Sequence, residues 1–213
     1  AALLISDDGA RATLRAHFDR FHVMEDVSIH GPRDAWIFGF AGPARRDLLH
    51  RFATASGADG LETLESAPLS FVVLPSSSSV PPGFDLVAPE AFEAWRISAG
   101  LPRTGIDLDP DRIATELSLE ESISQTKGCF VGQEVVARTS NRGQVKRSRV
   151  GFRFPAEGAT LAPRTEIRAG GAPAGYVTSS ALEPGTADGL GMGYLTLEAQ
   201  VEGQLAGCER VLR

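Results

Sequence analysis

The chain has 213 residues, 42% hydrophobic and 23% charged, which suits one large domain or two small ones and excludes a peptide hormone or a large multidomain machine. Its 21 basic and 27 acidic residues give a net charge of −6, so nonspecific coating of nucleic acid is excluded, no strong nucleic-acid binding is expected, and any bound anion must meet a local basic patch. No stretch reaches the roughly 18 consecutive apolar residues of a membrane span, and no basic region precedes the opening Ala1-Ala2-Leu3-Leu4-Ile5, so a soluble, unsecreted protein is expected.

Taken in order, residues 3–6 read as a strand, entered at once from Ala1. The spacing of Ala10, Leu14, His17, Phe18 and Phe21 predicts an amphipathic helix in which His17 packs rather than catalyses. Strands are expected at 27–30 and 35–40. A second helix opens after Gly42-Pro43, places Ala44, Leu48, Leu49 and Phe52 on one face and ends near Gly57. Leu69 to Leu74 reads as an apolar strand, and the Pro- and Ser-rich run from Pro75 to Gly83 as a loop with a mobile tip. Pro89 favours the first turn of a helix that carries Phe92 and Trp95 and runs out at Gly100-Leu101-Pro102. The acidic stretch from Asp107 to Glu121 reads as a solvated face. This alternation suggests a sheet covered by helices.

The character changes near residue 145. Val150, Phe152 and Phe154 alternate with Arg149, Gly151 and Arg153 at the period of a half-buried strand. Short strands follow at Ile167, at Gly175 to Ser179, at Leu190 to Leu195 and near the C-terminus, separated by Gly and Pro turns as in small barrels. In 189–194 three glycines share one face and Leu190, Met192 and Tyr194 the other, which suits close backbone approach on a curved sheet. The fold class read here is α+β: a mixed sheet-and-helix domain over 1–145, then a small antiparallel β-barrel over 146–213.

The two cysteines, Cys129 and Cys208, lie far apart and outside any C-x-x-C spacing, so neither a disulfide framework nor a zinc site is suggested and a reducing compartment, the cytoplasm, fits. An iron-sulfur cluster would need ligands from another molecule. His17, His22, His30 and His50 form no local triad signature. One segment stands apart: Lys127-Gly128-Cys129-Phe130-Val131-Gly132-Gln133-Glu134. From Val131 onward it reads as a helix, which puts Cys129 just before a helix N-terminus and beside a lysine, both favourable to a thiolate. Gly128 and Gly132 let a ligand or another segment approach the backbone; the competing reading is a buried small thiol at a turn. Downstream, Arg138, Arg142, Lys146, Arg147, Arg149 and Arg153 occur with no acidic residue between Glu134 and Glu157, which reads either as a trap for a carboxylate, a phosphate or a short stretch of RNA, or as a charged strand edge.

Lys127 to Glu134 resembles the K-G-C-[YF]-x-G-Q-E signature of the YgfZ-type folate-binding proteins, relatives of the T-protein aminomethyltransferase of the glycine cleavage system. Arg142-Gly143 with Lys146-Arg147 resembles the R-G-x-x-K-R after that signature, and Arg96-Ile97 with Gly100-Leu101-Pro102 the R-I-x-x-G-x-P before it. Gly175 to Ser180 and Leu190 to Tyr194 look like the family's C-terminal barrel strands, so the resemblance covers most of the chain. It implies a protein that binds tetrahydrofolate or a derivative and supports assembly or repair of iron-sulfur client enzymes, some of them tRNA-modifying. It implies further that Cys129 and Lys127 are the functional centre, that Gly128, Gly132, Gln133 and Glu134 shape the loop, and that Phe130, Trp95 and Arg142 belong to the folate site. The pterin would then lie in a central opening between the domains, with Arg142 near its glutamate tail.

Three departures accompany the resemblance. The T-protein has R-L-E-x-G where this chain has Arg96-Ile97-Ser98-Ala99-Gly100, so Ser98 replaces the carboxylate that anchors the pterin there, which argues against a true aminomethyltransferase. Ala114 stands where the family has a proline shortly before the glutamate aligned with Glu116. Opening strands of the relatives have no counterpart before Ala1, so the chain is expected either to be a fragment or to lack part of the pocket. The leading expectation is a nonenzymatic or weakly catalytic folate-binding accessory protein in which Cys129 handles a thiol, persulfide or metal intermediate. Its rivals are folate-dependent C1 transfer and a cysteine-nucleophile transferase, which needs a base near the thiol.

Overall fold

Helix α1 (Arg11–Phe21) forms where the apolar spacing predicts it, but none of its residues is buried. His17 is exposed, its ring 4.7 Å from that of Phe21 on the same helix, rather than packed in a core. The computed structural model describes residues 4, 10–22, 26–31, 33–58, 61–65, 68–109, 111–119, 122–124, 126–142, 145–169, 171–202 and 209–212, in two compact units divided between Leu86 and Val87. Apart from Leu4, the strand expected at 3–6 lies outside the described residues, as does Cys208. No described helix is long and apolar enough to cross a membrane.

The first unit contains β1 (Ala35–Ala41), α2 (Arg45–Ser56), β2 (Glu62–Glu65) and β3 (Leu69–Pro75), the strands forming an antiparallel sheet in the order β1-β3-β2. Residues 27–30 are not a strand. The Arg15 guanidinium donates to the Ile29 carbonyl at 3.1 Å, and Val27 is 57% exposed, so apolar residue types there are not matched by a buried face. Strand β2 escaped the sequence reading because Glu-Thr-Leu-Glu has a polar composition; backbone pairing to β3 holds it. Helix α2 ends at Gly57, whose φ of 58° is the left-handed value that glycine supplies at a helix C-terminus. Its Leu49 and Phe52 are buried against Val72 and Leu74, and the Phe52 ring is 4.8, 5.2 and 5.0 Å from those of Phe38, Phe40 and Phe84. The loop after β3 is fastened at both ends: Trp36 Nε1 donates to Ser76 O at 3.0 Å, and Val80 packs on the same core.

The second unit opens with α3 (Pro89–Ser98), with proline in its first turn as expected. A short 3-10 turn (Ala114–Glu116) and α4 (Gln133–Arg142) follow, then β4 (Arg147–Pro155), β5 (Glu166–Ala169), β6 (Ala172–Leu182), β7 (Asp188–Thr196), α5 (Leu197–Glu202) and β8 (Glu209–Leu212). The five strands form one antiparallel sheet in the order β5-β6-β7-β4-β8. Among the described residues no pairing joins β5 to β8, so the closed barrel expected is not shown. The architecture is mixed helix and antiparallel sheet throughout.

Both faces of this sheet are covered. Ala94 and Ile97 of α3 pack on Leu190, Met192 and Ala181, while the other face buries Val150, Phe152, Phe154, Ile167, Val177 and Leu195. Hence β4 is not half-buried as its alternation suggests: Arg149 and Gly151 are buried as well. The glycines of β7 follow from register. Phe152 faces Gly191 and Phe154 faces Gly189, and a Cβ on either glycine would come within 2.3 Å of the opposing ring. Each aromatic ring lies where a β7 side chain would have been.

The change of sequence character near residue 145 does not coincide with a division of the contacts, because residues 87–145 and 146–213 share one unit. Buried polar bonds join them. Asp107, in the acidic stretch, is fully buried rather than solvated. Arg149 of β4 is buried too, donating to Leu117 O at 2.8 Å, Gly100 O at 3.0 Å and Ser118 O at 3.4 Å.

Candidate functional site

The signature segment forms a turn running into α4, which starts at Gln133, two residues later than its sequence suggests. Gln133 N donates to Phe130 O at 3.2 Å across a turn whose third residue, Gly132, has φ 85°, a value that requires glycine. In return Gln133 Oε1 accepts from Phe130 N at 3.1 Å, so turn and helix are tied reciprocally, as in a capping box. Lys127 N donates to Ser124 Oγ at 3.1 Å. The Lys127 ammonium lies 4.3 Å from the centroid of the Phe130 ring, a cation–π contact that directs it over the aromatic face.

Cys129 is exposed and unpaired, which disposes of a buried thiol at this turn. Gly128 is informative in another way: its φ lies outside the left-handed region, and a Cβ there would meet nothing within 4 Å. Neither conformation nor packing within the described residues demands glycine there. Glu134 is exposed and pairs only loosely with Arg138, at 3.7 Å. Val131 and Val135 are 69% and 48% exposed, so apolar surface flanks the thiol.

Three residues of the basic stretch are engaged within the protein. Arg149 is spent on backbone carbonyls, Arg153 pairs with Glu183 at 2.7 Å, and Arg138 leans on Glu134. Arg142 ends α4, and its side chain lies outside the described part of the structure. Trp95, half-buried on α3, forms a tilted pair with Phe92, ring centroids 5.8 Å apart; Phe92, 39% exposed, is read from sequence as part of this helix but not as a site residue. Ser98 donates its hydroxyl to Trp95 O at 2.7 Å and so turns into its own helix. Among the described residues, depressions of about 490 and 210 Å³ lie in the first unit, around His50, Arg51 and Phe84 and around Arg33, Glu62 and Pro75, and residues 127–134 line neither.

Beneath the loop that follows α3 lies a buried polar network that sequence reading missed. Asp107 Oδ1 accepts from Thr178 Oγ1 and from Ser179 Oγ at 2.7 Å; Oδ2 accepts from Arg96 Nη1 at 2.6 Å and from Arg103 N at 3.0 Å. A bulge between Val177 and Ser179 lets two consecutive hydroxyls reach one oxygen. Burial alone pushes the Asp107 carboxyl up, but those hydrogen bonds and the Arg96 charge outweigh it and hold the group below its ordinary range. Arg96 is held above its usual value, burial being outweighed by Glu93 and Asp107. The Tyr194 hydroxyl donates to Asp107 O at 2.7 Å, and burial, with Tyr176 alongside, pushes that phenol up to about 12. From this base the chain reaches the 3-10 turn at Ala114–Glu116. Ala114 forms this turn without a proline, and Glu116 pairs with Arg112 at 3.6 Å.

No family model matches the chain. It is similar to a tRNA-modifying protein YgfZ of Cronobacter sakazakii, 32% identical over 157 residues, covering 65% of this chain and 48% of that protein. It is similar to an aminomethyltransferase of Rubrobacter xylanophilus, 25% identical over 218 residues, covering 87% of this chain and 56% of that protein. An aminomethyltransferase of Moorella thermoacetica is 35% identical over 94 residues, 44% of this chain and 25% of its own length. The chain thus spans about half the length of the first two relatives. On these matches the chain is a homologue of YgfZ and of the aminomethyltransferases.

Proposed function

We propose that this chain is the thiol-bearing part of a folate-binding accessory protein of the cytoplasm, which supports assembly or repair of iron-sulfur enzymes, tRNA-modifying ones among them. The observation that carries the reading is an exposed Cys129 beside Gly128, for which the described residues give no packing or conformational reason to be glycine. An exposed thiol with open backbone next to it is suited to meeting another molecule, and a thiolate is a soft ligand for the metals such clients carry.

The residue types are suited to the aromatic part of a reduced folate. Trp95 and Phe92 offer a stacking face for a pterin, Lys127 over Phe130 offers a cation, and Gly128 and Gly132 leave backbone accessible. When bound, tetrahydrofolate supplies ring nitrogens that carry one-carbon units. The rival, aminomethyl transfer, is disfavoured by Ser98, whose hydroxyl is committed to Trp95 O where the T-protein has its carboxylate.

The test uses the full-length protein. Tetrahydrofolate is titrated calorimetrically under reducing, anaerobic conditions, and Cys129→Ala is introduced into cells lacking the protein. Saturable one-to-one binding by parent and variant, with client activity lost only in the variant, is the expected result. Intact client activity in Cys129→Ala removes the role given to the thiol. Turnover of an aminomethyl donor that survives the substitution would establish the transferase instead.

A further inference from the structure

The segment from Ser124 to Arg142 carries every residue of the signature, yet among the described residues only one hydrogen bond ties it to the rest of its unit: Thr115 Oγ1 to Thr139 Oγ1 at 3.0 Å. The other described polar contacts of the segment are internal: Lys127 with Ser124 and Phe130, Phe130 with Gln133, Glu134 with Arg138, and Thr139 Oγ1 donating to Val135 O at 2.9 Å or Val136 O at 3.0 Å. The Thr139 hydroxyl thus spends its proton on its own helix and offers a lone pair to Thr115. Thr115 lies in the 3-10 turn, on the loop that Asp107 and Arg149 clamp to the sheet. The Gln133 cap in turn couples the cysteine turn rigidly to α4.

We infer that the Thr115–Thr139 hydrogen bond is the latch that holds α4, and with it Cys129, in a fixed direction on the second unit, which makes Thr115 a positioning residue for the thiol. This rests on the working role proposed for Cys129. Because the thiol is exposed and moves with its helix, the latch governs how it is presented to a macromolecular partner, not its encounter with a small reagent.

Three readouts on the full-length protein test this. In Thr115→Val, native-state hydrogen exchange of peptides covering α4 speeds up by about fivefold, the effect of one neutral hydrogen bond, while peptides of β4, β6 and β7 are unchanged. Thr139→Val matches it, the double variant adds nothing further, and Thr115→Ser restores the parent pattern. Alkylation of Cys129 by iodoacetamide, followed on its own peptide, stays within about twofold of parent in every variant, as exposure dictates. Client activity in cells falls in Thr115→Val and returns in Thr115→Ser. Unchanged α4 exchange, acceleration spread through the whole unit, or an alkylation rate that collapses in Thr115→Val each overturns the latch. Should Cys129→Ala leave clients active, the thiol's role fails, and the exchange pattern still decides whether the latch exists.

Discussion

Replacing Asp107 by Asn changes the charge at the centre of the second unit and almost nothing of its shape. The carboxylate is fully buried and accepts from four donors. Turned so that its oxygen meets Arg96 and the Arg103 N–H, the amide directs its NH2 at the Thr178 and Ser179 hydroxyls, which rotate to accept. Thr178 then donates to Met192 O, 3.0 Å away. Arg96 keeps Glu93, so the loss falls below the ~3–5 kcal/mol of a buried charge left alone. The expected cost is about 2–3 kcal/mol at pH 7, against about 3–5 kcal/mol for Asp107→Ala, which removes all four acceptor contacts. In urea, followed by Trp95 fluorescence in a Trp36→Phe background, the Asn variant unfolds at a midpoint lower by roughly 1 M for a slope of about 2 kcal/mol per M. The pH dependence is sharper. The folded carboxyl is held below its ordinary range, so between folded and unfolded values the unfolded chain binds more protons and stability rises with pH. The contribution is complete above about pH 4 and disappears as pH falls through the folded value, so parent and Asn variant converge in acid. A gap under about 1 kcal/mol at pH 7, or one that does not narrow in acid, refutes the assignment of Asp107 as the keystone.

Other outcomes follow from the same geometry. Gly191→Ala puts a methyl 2.3 Å from the Phe152 ring and costs about 1–3 kcal/mol in thermal or urea unfolding; Phe152→Leu in the same chain recovers part of it. Gly128→Ala, with open space and an ordinary φ, leaves the melting temperature unchanged or slightly raised while client activity in cells falls; equal loss of both would mean the glycine is structural. Tyr194, raised to about 12, keeps its proton in the folded state after an unfolded tyrosine has lost it, so its share of the stability is whole below about pH 10 and is lost as pH rises from there. Urea midpoints of the parent therefore fall between about pH 10 and 12 more steeply than those of Tyr194→Phe.

Elements whose evidence is local were legible in the sequence. Gly42-Pro43 and Gly57 bracket α2, Pro89 starts α3, and the run from Leu69 to Leu74 is β3. The cysteine turn was legible because its glycines and glutamine act on neighbours three residues away or fewer. What escaped depends on distant partners. Asp107 reads as solvated until Thr178 and Ser179, 71 and 72 positions later, are placed beside it. Arg149 reads as part of an anion trap until the carbonyls of Gly100 and Leu117, 49 and 32 positions earlier, are seen to take it. Val27 and Ile29 read as a strand because residue type carries no information on whether a neighbour exists to pair with. Barrel closure was inferred from strand lengths and turns, which fix the order of hairpins but not whether the outermost strands meet.

The buried Arg149 also sets an order of events in time. Its guanidinium reaches the 100–118 loop only once β4 is in place, and β4 is paired along its length with β7 through a register that puts Arg149 opposite Tyr194. Asp107 likewise waits for β6, and the Tyr194 hydroxyl reaches back 87 residues to the Asp107 carbonyl. A ribosome releasing this chain therefore exposes the loop, the 3-10 turn and the apolar face of α3 well before their partners in β4, β6 and β7 exist. Closing such long loops first makes the second unit a slow folder whose signature helix is among the last parts to be fixed. Chaperone demand during synthesis should accordingly fall on residues 87–142, and end with the emergence of β7.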